Sequence, residues 1–229
     1  KSLRYFEKKI YIKADAIVFT MEGGYDYIVE QGWNHVISKS KTYYINNGVD
    51  LTAFDDNKKK YEFTDKDLDN QEFFNIVYTG SIRKVNNLGI VLDVAKKVKN
   101  PSVRFLIWGD GDELEKLQER VRKEEVHNVI FKGRVEKIYI PAITSKASMN
   151  YAHNGQSQIL YYGISFNKMF EYLAAGKPVL CDFASKYNPV LQEKAGITVE
   201  EGSVEKIAQA IDQFTNLSKE ELAYYGRNA

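Results

Sequence analysis

The chain of 229 residues sets 32 basic against 31 acidic side chains and is 44% hydrophobic and 28% charged, so it reads as an ordinary globular protein. A net charge of +1 gives no general reason to expect nucleic-acid binding or a polybasic membrane surface, and any anion site must be built locally. The lone cysteine, Cys181, cannot form an intrachain disulfide and fits a reducing, cytoplasmic compartment, and no apolar run reaches the roughly 18 residues of a membrane span. The chain opens at Lys1, on what reads as mid-protein sequence, and is expected to be a piece of something longer.

Residues 1–54 predict a strand at DAIVFT (Asp15 to Thr20), a Gly23-Gly24 turn, a helix around Tyr25 to Gln31 and a second strand at TYYI. These are too few elements to bury a core alone. NNGVD (Asn46 to Asp50) is a turn signal. The stretch 55–72 is charged and almost free of branched apolar residues, and reads as a linker.

From 73 to 229 the pattern becomes regular. Strands are predicted at FFNIVYT (73–79), VRFLIW (103–108), NVIFK (128–132), ASMNYA (147–152), PVLCDF (178–183) and GITVE (196–200). Helices are predicted at 88–99, 112–124, near 138–145, and at 165–175, 188–194 and 204–214. Strands and helices alternating at these lengths imply βαβ units, hence an α/β, Rossmann-like, doubly wound parallel sheet. Ligands bind such sheets beyond the carboxyl ends of the strands, near the switch point.

The strand ends there carry glycines and cations. TGSIRK places Gly80 and Ser81 in a tight turn ahead of Arg83 and Lys84, WGDGDE offers Gly109 and Gly111, and KGRVEK carries Arg134 and Val135. The fourth loop, HNGQSQ, is polar, and His153 in it reads as incidental. No G-x-G-x-x-G follows a strand and no G-x-x-x-x-G-K-[ST] occurs, which excludes the usual dinucleotide and P-loop sites. Neither a G-x-S-x-G elbow nor Cys/His metal spacing is present.

The stretch GISFNKMFEYLAAGKPVL (Gly163 to Leu180) is the most informative. Phe166, Met169, Phe170, Leu173 and Ala174 form one helical stripe, Ser165 is placed to cap it, and Gly176 and Pro178 end it. Asn167 and Lys168 then fall in the first turn, where the helix dipole disfavours a cation by roughly 0.3–1 kcal/mol. A bound anion reverses that sign, and free amides beside an ammonium make a phosphate site. Gly163 would let backbone approach a ligand, and Glu171 sits at i+3 from Lys168 as a surface pair or a ligand group.

Together these motifs resemble the donor-binding half of a GT-B glycosyltransferase of glycosyltransferase family 4, the glycosyl transferases group 1. ADAIVFT with YYINNGVDLTAF is similar to the end of the family's N-terminal domain and its hinge. IVYTGSIRK, FLIWGDGDELEKL and NVIFKGRV are similar to the successive strands and loops of its C-terminal domain, and GISFNKMFEYLAAGKPVL resembles its signature helix. The resemblance implies a remnant of the N-terminal, acceptor-side domain in 1–54, a linker at 55–72, and a nucleotide-sugar-binding domain over 73–229.

It also implies roles. Arg83 and Lys168 would hold the departing diphosphate, with the Ser165 and Asn167 amides and the Gly80, Ser81, Gly109 and Gly111 loops around it. Glu171 would accept the ribose hydroxyls, and Arg134 and Val135 would lie against the base. The substrate would be a UDP- or GDP-type sugar, with no cofactor or metal, and transfer would retain configuration. The acceptor would be a glycan or lipid-linked, reached through the missing part of the N-terminal domain, with peripheral membrane association of the full-length protein at the cytoplasmic face. The fragment alone would bind donor without turnover. Two positions depart: the family pairs two glutamates separated by seven residues, and the first of these is Gly163; its Arg-then-Lys pair in the first loop is also incomplete, since Gly89 stands six residues after Arg83, and Lys84 would have to substitute. A GT-B-fold sugar-nucleotide epimerase and a non-catalytic nucleotide-sugar-binding or scaffolding subunit stay open as alternatives.

Overall fold

The computed structural model describes residues 2–155, 157–200 and 202–229; Gln156, in the fourth of the strand-end loops, lies outside them. Six parallel strands form the main sheet: β3 (Phe74–Thr79), β4 (Val103–Trp108), β5 (Val129–Gly133), β6 (Met149–Ala152), β7 (Val179–Cys181) and β8 (Gly196–Thr198). β1 and β2 precede them in the chain, outside this sheet. Their order is β5-β4-β3-β6-β7-β8, so the winding direction reverses between β3 and β6. β3 and β4 are mostly apolar because a parallel sheet is covered on both faces.

One face is covered by α4 (Gly89–Lys97), α5 (Leu114–Lys123) and α9 (Val204–Phe214), which bury Val91, Leu92, Leu117, Ile207 and Ile211 against Ile76, Phe105 and Ile107. Each such side chain contributes about 1.5–3 kcal/mol when fully withdrawn from water. α6 (Ile140–Lys146) and α7 (Asn167–Ala174) cover the other face, where Met169 and Tyr172 pack near Val179 and Phe183. α8 (Pro189–Gln192) leans on β8, and α10 (Lys219–Asn228) opens with a capping box between Ser218 and Glu221.

Residues 2–44 form a smaller unit. β1 (Ile17–Phe19) and β2 (Thr42–Tyr44) pair in parallel, with α1 (Ser2–Lys13) and α2 (Gly24–Glu30) beside them and Ile17, Ile28, Trp33 and Ile37 in the core. α1 was not expected; its Leu3, Phe6 and Ile10 lie at helical spacing yet remain exposed.

The stretch 55–72 is not a bare linker. α3 (Leu51–Lys60) runs into it, capped by the Asp50 carboxylate on the Ala53 amide, with Phe54 buried. Beyond it Leu68 is fully buried against Val77, Leu106 and Trp108. Its acidic residues have distant partners: Lys132 bridges Asp65 and Asp67 at 2.6 and 2.8 Å, and Lys146 reaches Asp69 at 2.7 Å. No helix among the described residues is long and apolar enough to cross a membrane.

Candidate functional site

Three strand-end loops are sewn into one rim. The Gly80 amide donates to the Trp108 carbonyl at 3.0 Å, that of Ile82 to Asp110 at 2.8 Å, and that of Gly109 to Gly133 at 2.9 Å. Gly109 and Gly111 are required by this packing: a Cβ at Gly109 would fall 1.8 Å from the Gly80 carbonyl oxygen, and one at Gly111 2.3 Å from that of Ile82. The loop after β3 is braced further by Asn86, whose side-chain amide donates to the Ser81 carbonyl at 2.6 Å and hydroxyl at 2.8 Å.

α7 faces this rim across a cleft of about 1310 Å³. Its placement depends on Tyr172, buried one turn beyond Lys168. The Tyr172 hydroxyl accepts the Thr79 amide at 2.8 Å and donates back to the Thr79 carbonyl at 3.2 Å, locking the helix to the end of β3. Lys168 then reaches inward, not out to solvent. Its ammonium donates to the His153 carbonyl at 2.8 Å and the Tyr78 hydroxyl at 3.2 Å, over the Tyr78 ring at 4.6 Å from its centroid. Tyr78 passes the link on by donating to the Ser81 carbonyl. Burial pushes the Lys168 ammonium down to about 8, against a smaller upward pull from Asp182. Glu171 does not pair with Lys168; its carboxylate, 17% exposed, is 3.6 Å from the Lys137 ammonium across the cleft.

The family model of Glycosyl transferases group 1 matches residues 74–216, more than half of the chain. The chain belongs to this family. Among solved structures, the glycosyltransferase of Rickettsia africae superposes with a TM-score of 0.76 at 16% identity, covering 99% of this chain and 60% of that one. HepE of Anabaena, solved with UDP and glucose, gives 0.73 at 16% identity with the same coverages. A mutant of S. aureus TarM, in complex with fondaparinux, α-GlcNAc-glycerol and UDP, gives 0.68 at 18% identity over 99% of this chain and 42% of that one. These overlaps show the GT-B fold, and the chain spans about half the length of those proteins. A search of curated proteins found no match.

Most of the expected glycosyltransferase site lines one cleft: Gly80, Ser81, Arg83, Gly109, Gly111, Arg134, Val135, Asn167, Lys168 and Glu171. Ser165 and Lys84 are outside its lining. Ser165 does not cap the helix either. The cap position is Phe166, in extended backbone and without a side-chain bond, and the Ser165 carbonyl instead accepts the Asn47 side-chain amide at 2.5 Å.

Gly163 is a second correction. It adopts φ +135°, and a Cβ there would lie 3.1 Å from the Glu22 amide nitrogen and 3.2 Å from the Met21 Cβ. The glycine admits the segment after β1, not a ligand.

His153 is the third. Although it reads as incidental in the sequence, it is buried, with Nδ1 2.7 Å from Asp182 Oδ2, and the Tyr151 hydroxyl donates to the same oxygen at 2.7 Å. No local signal marks this pair, since Asp182 lies 29 residues on. Tyr172 was missed as well: it stands at i+4 from Lys168, outside the stripe drawn through Phe166, Met169, Phe170, Leu173 and Ala174, yet it is buried with Met169. Among the described residues no group of three or more His, Cys, Asp or Glu is placed to hold a metal ion.

Proposed function

We propose that the cleft binds a nucleoside-diphosphate sugar of UDP or GDP type and that the protein transfers the sugar, with retention, to a glycan or lipid-linked acceptor. The observation that carries this is the Lys168 ammonium at the N-terminus of α7, across the cleft from Arg83 on the rim of amide-rich loops. Two cations and a helix N-terminus around one cavity suit a diphosphate. The UDP found with HepE and with TarM supports the same class of donor.

On this reading the anomeric C–O bond to the β-phosphate breaks through an oxocarbenium-like state. Negative charge then grows on the leaving diphosphate. Arg83, Lys168 and the first amides of α7 hold that charge from fixed positions, with no resident metal or cofactor. Glu171, low in the cleft, accepts the ribose hydroxyls, and the backbone of Arg134 and Val135 flanks the base. The acceptor enters from the side of residues 2–44, at the cytoplasmic face of a membrane for a lipid-linked one.

Calorimetry on Arg83→Ala tests the assignment. Affinity for UDP or GDP is expected to fall by about 1.5–3 kcal/mol, the range for a hydrogen bond involving a charge, while that for the free nucleoside stays unchanged. Equal losses for both would remove Arg83 from the diphosphate.

A further inference from the structure

Lys168 is held unlike the other cations of the cleft. Both partners of its ammonium, the His153 carbonyl and the Tyr78 hydroxyl, are neutral, and the rings of Tyr78 and Phe166 stand beside it, the latter at 5.4 Å. Among the described residues no carboxylate pairs with it. On its own helix Glu171 is drawn to Lys137, and the Tyr172 hydroxyl is committed to Thr79. Arg83, Asp110, Arg134 and Glu136 line the cleft opposite it. Behind it lies Asp182, whose side chain is 1% exposed. Asp182 Oδ2 is occupied by His153 and Tyr151, and its Oδ1, like His153 Nε2, is buried with no partner among the described residues. A carboxylate so withdrawn from water acts through space with little screening.

We propose that entry of the diphosphate is coupled to uptake of a proton by Lys168, and that the buried Asp182 sets the pH range in which this happens. The inference rests on the cleft being a diphosphate site. An ammonium with only neutral partners gains an anionic one when the ligand enters, so the bound state favours the charged form more strongly than the empty state. The balance is simple: the neutral amine takes H⁺ from a buffer acid, leaving the buffer base, and no bond in the nucleotide changes. At pH 7 the empty site is mostly charged already. As pH rises through about 8 the lysine loses its proton in the empty site but not in the complex, and affinity falls. Asp182 works as a positioning residue. It never meets the nucleotide, but its charge raises the pH at which the empty site becomes neutral.

The test is titration of the purified protein with UDP by calorimetry between pH 7 and 8.5, in buffers of different ionisation enthalpy. Affinity is expected to fall about fourfold over that range, with roughly three-quarters of a proton taken up per UDP at pH 8.5. Lys168→Arg should bind with no pH dependence and no uptake, because a guanidinium stays charged. Asp182→Asn should move the onset of the decline to lower pH, whereas a purely structural role would weaken binding by one factor at every pH. UDP binding by the unmodified protein with constant affinity and no proton uptake would overturn the proposal, whatever the variants do. Absence of binding by any nucleoside diphosphate at millimolar concentration would instead overturn the diphosphate reading, and this inference with it.

Discussion

Glu171 shows how little of a side chain's surroundings its own helix decides. Spacing along α7 suggests a Lys168–Glu171 surface pair worth a few tenths of a kcal/mol. The structure separates the two: Lys168 turns toward β3, and Glu171 faces Lys137. That leaves a carboxylate beside the cleft with one distant, exposed partner and acceptor capacity to spare. Glu171→Ala is therefore expected to weaken nucleoside-diphosphate binding roughly ten- to hundredfold while thermal stability stays within about 0.5 kcal/mol. Unchanged affinity in a folded variant would return Glu171 to the role of a surface charge. At this scale the residue types at the cleft were legible and their partners were not. His153 meets Asp182 because β6 and β7 become neighbours, and Lys168 meets Tyr78 because α7 packs at the end of β3.

The strands and most helices could be read from the sequence because a doubly covered parallel sheet must draw its strands as apolar runs, and VRFLIW is one but for Arg104. Their ends shifted by a residue or two, and α7 begins after Phe166 because the preceding backbone is extended. α3 and the turns that follow it were misread for a physical reason. Their apolar contribution rests on scattered residues such as Phe54 and Leu68, and the surrounding charges look solvated until Lys132 and Lys146 are folded onto them. The turn before α7 yields a prediction of its own. Gly163→Glu would restore the glutamate of the wider family, yet φ +135° and the nearby Met21 and Glu22 oppose any side chain. The variant is expected to lose about 2–4 kcal/mol in urea unfolding and to gain no activity. Wild-type stability would show that the turn repacks without cost.

For the molecule as a whole, the segment after α3 is fastened to the sheet edge by charge. Lys132, its side chain 10% exposed, sits between Asp65 and Asp67 at the end of β5. Burial alone would raise the Asp65 carboxyl, but the bonds from Lys132 and from the Leu68 and Asp67 amides outweigh it and hold the group below its usual value. Such a carboxylate contributes stability that is present above about pH 4 and is lost as pH falls through the depressed value. Lys132→Ala leaves two half-buried carboxylates without their cation and should cost about 2–4 kcal/mol at pH 7. The gap between variant and wild type should narrow as the acid limb is entered, and a gap that stays constant to pH 3 would place the loss in packing.

The two units meet at the turn that leads into α7. Asn46 and Asn47, directly after β2, donate to the carbonyls of Ile164 and Ser165, while Gly163 rests on the segment after β1. These ties end only a few residues short of Lys168. A tilt of the smaller unit would therefore act through a short lever on the backbone that positions the Lys168 ammonium.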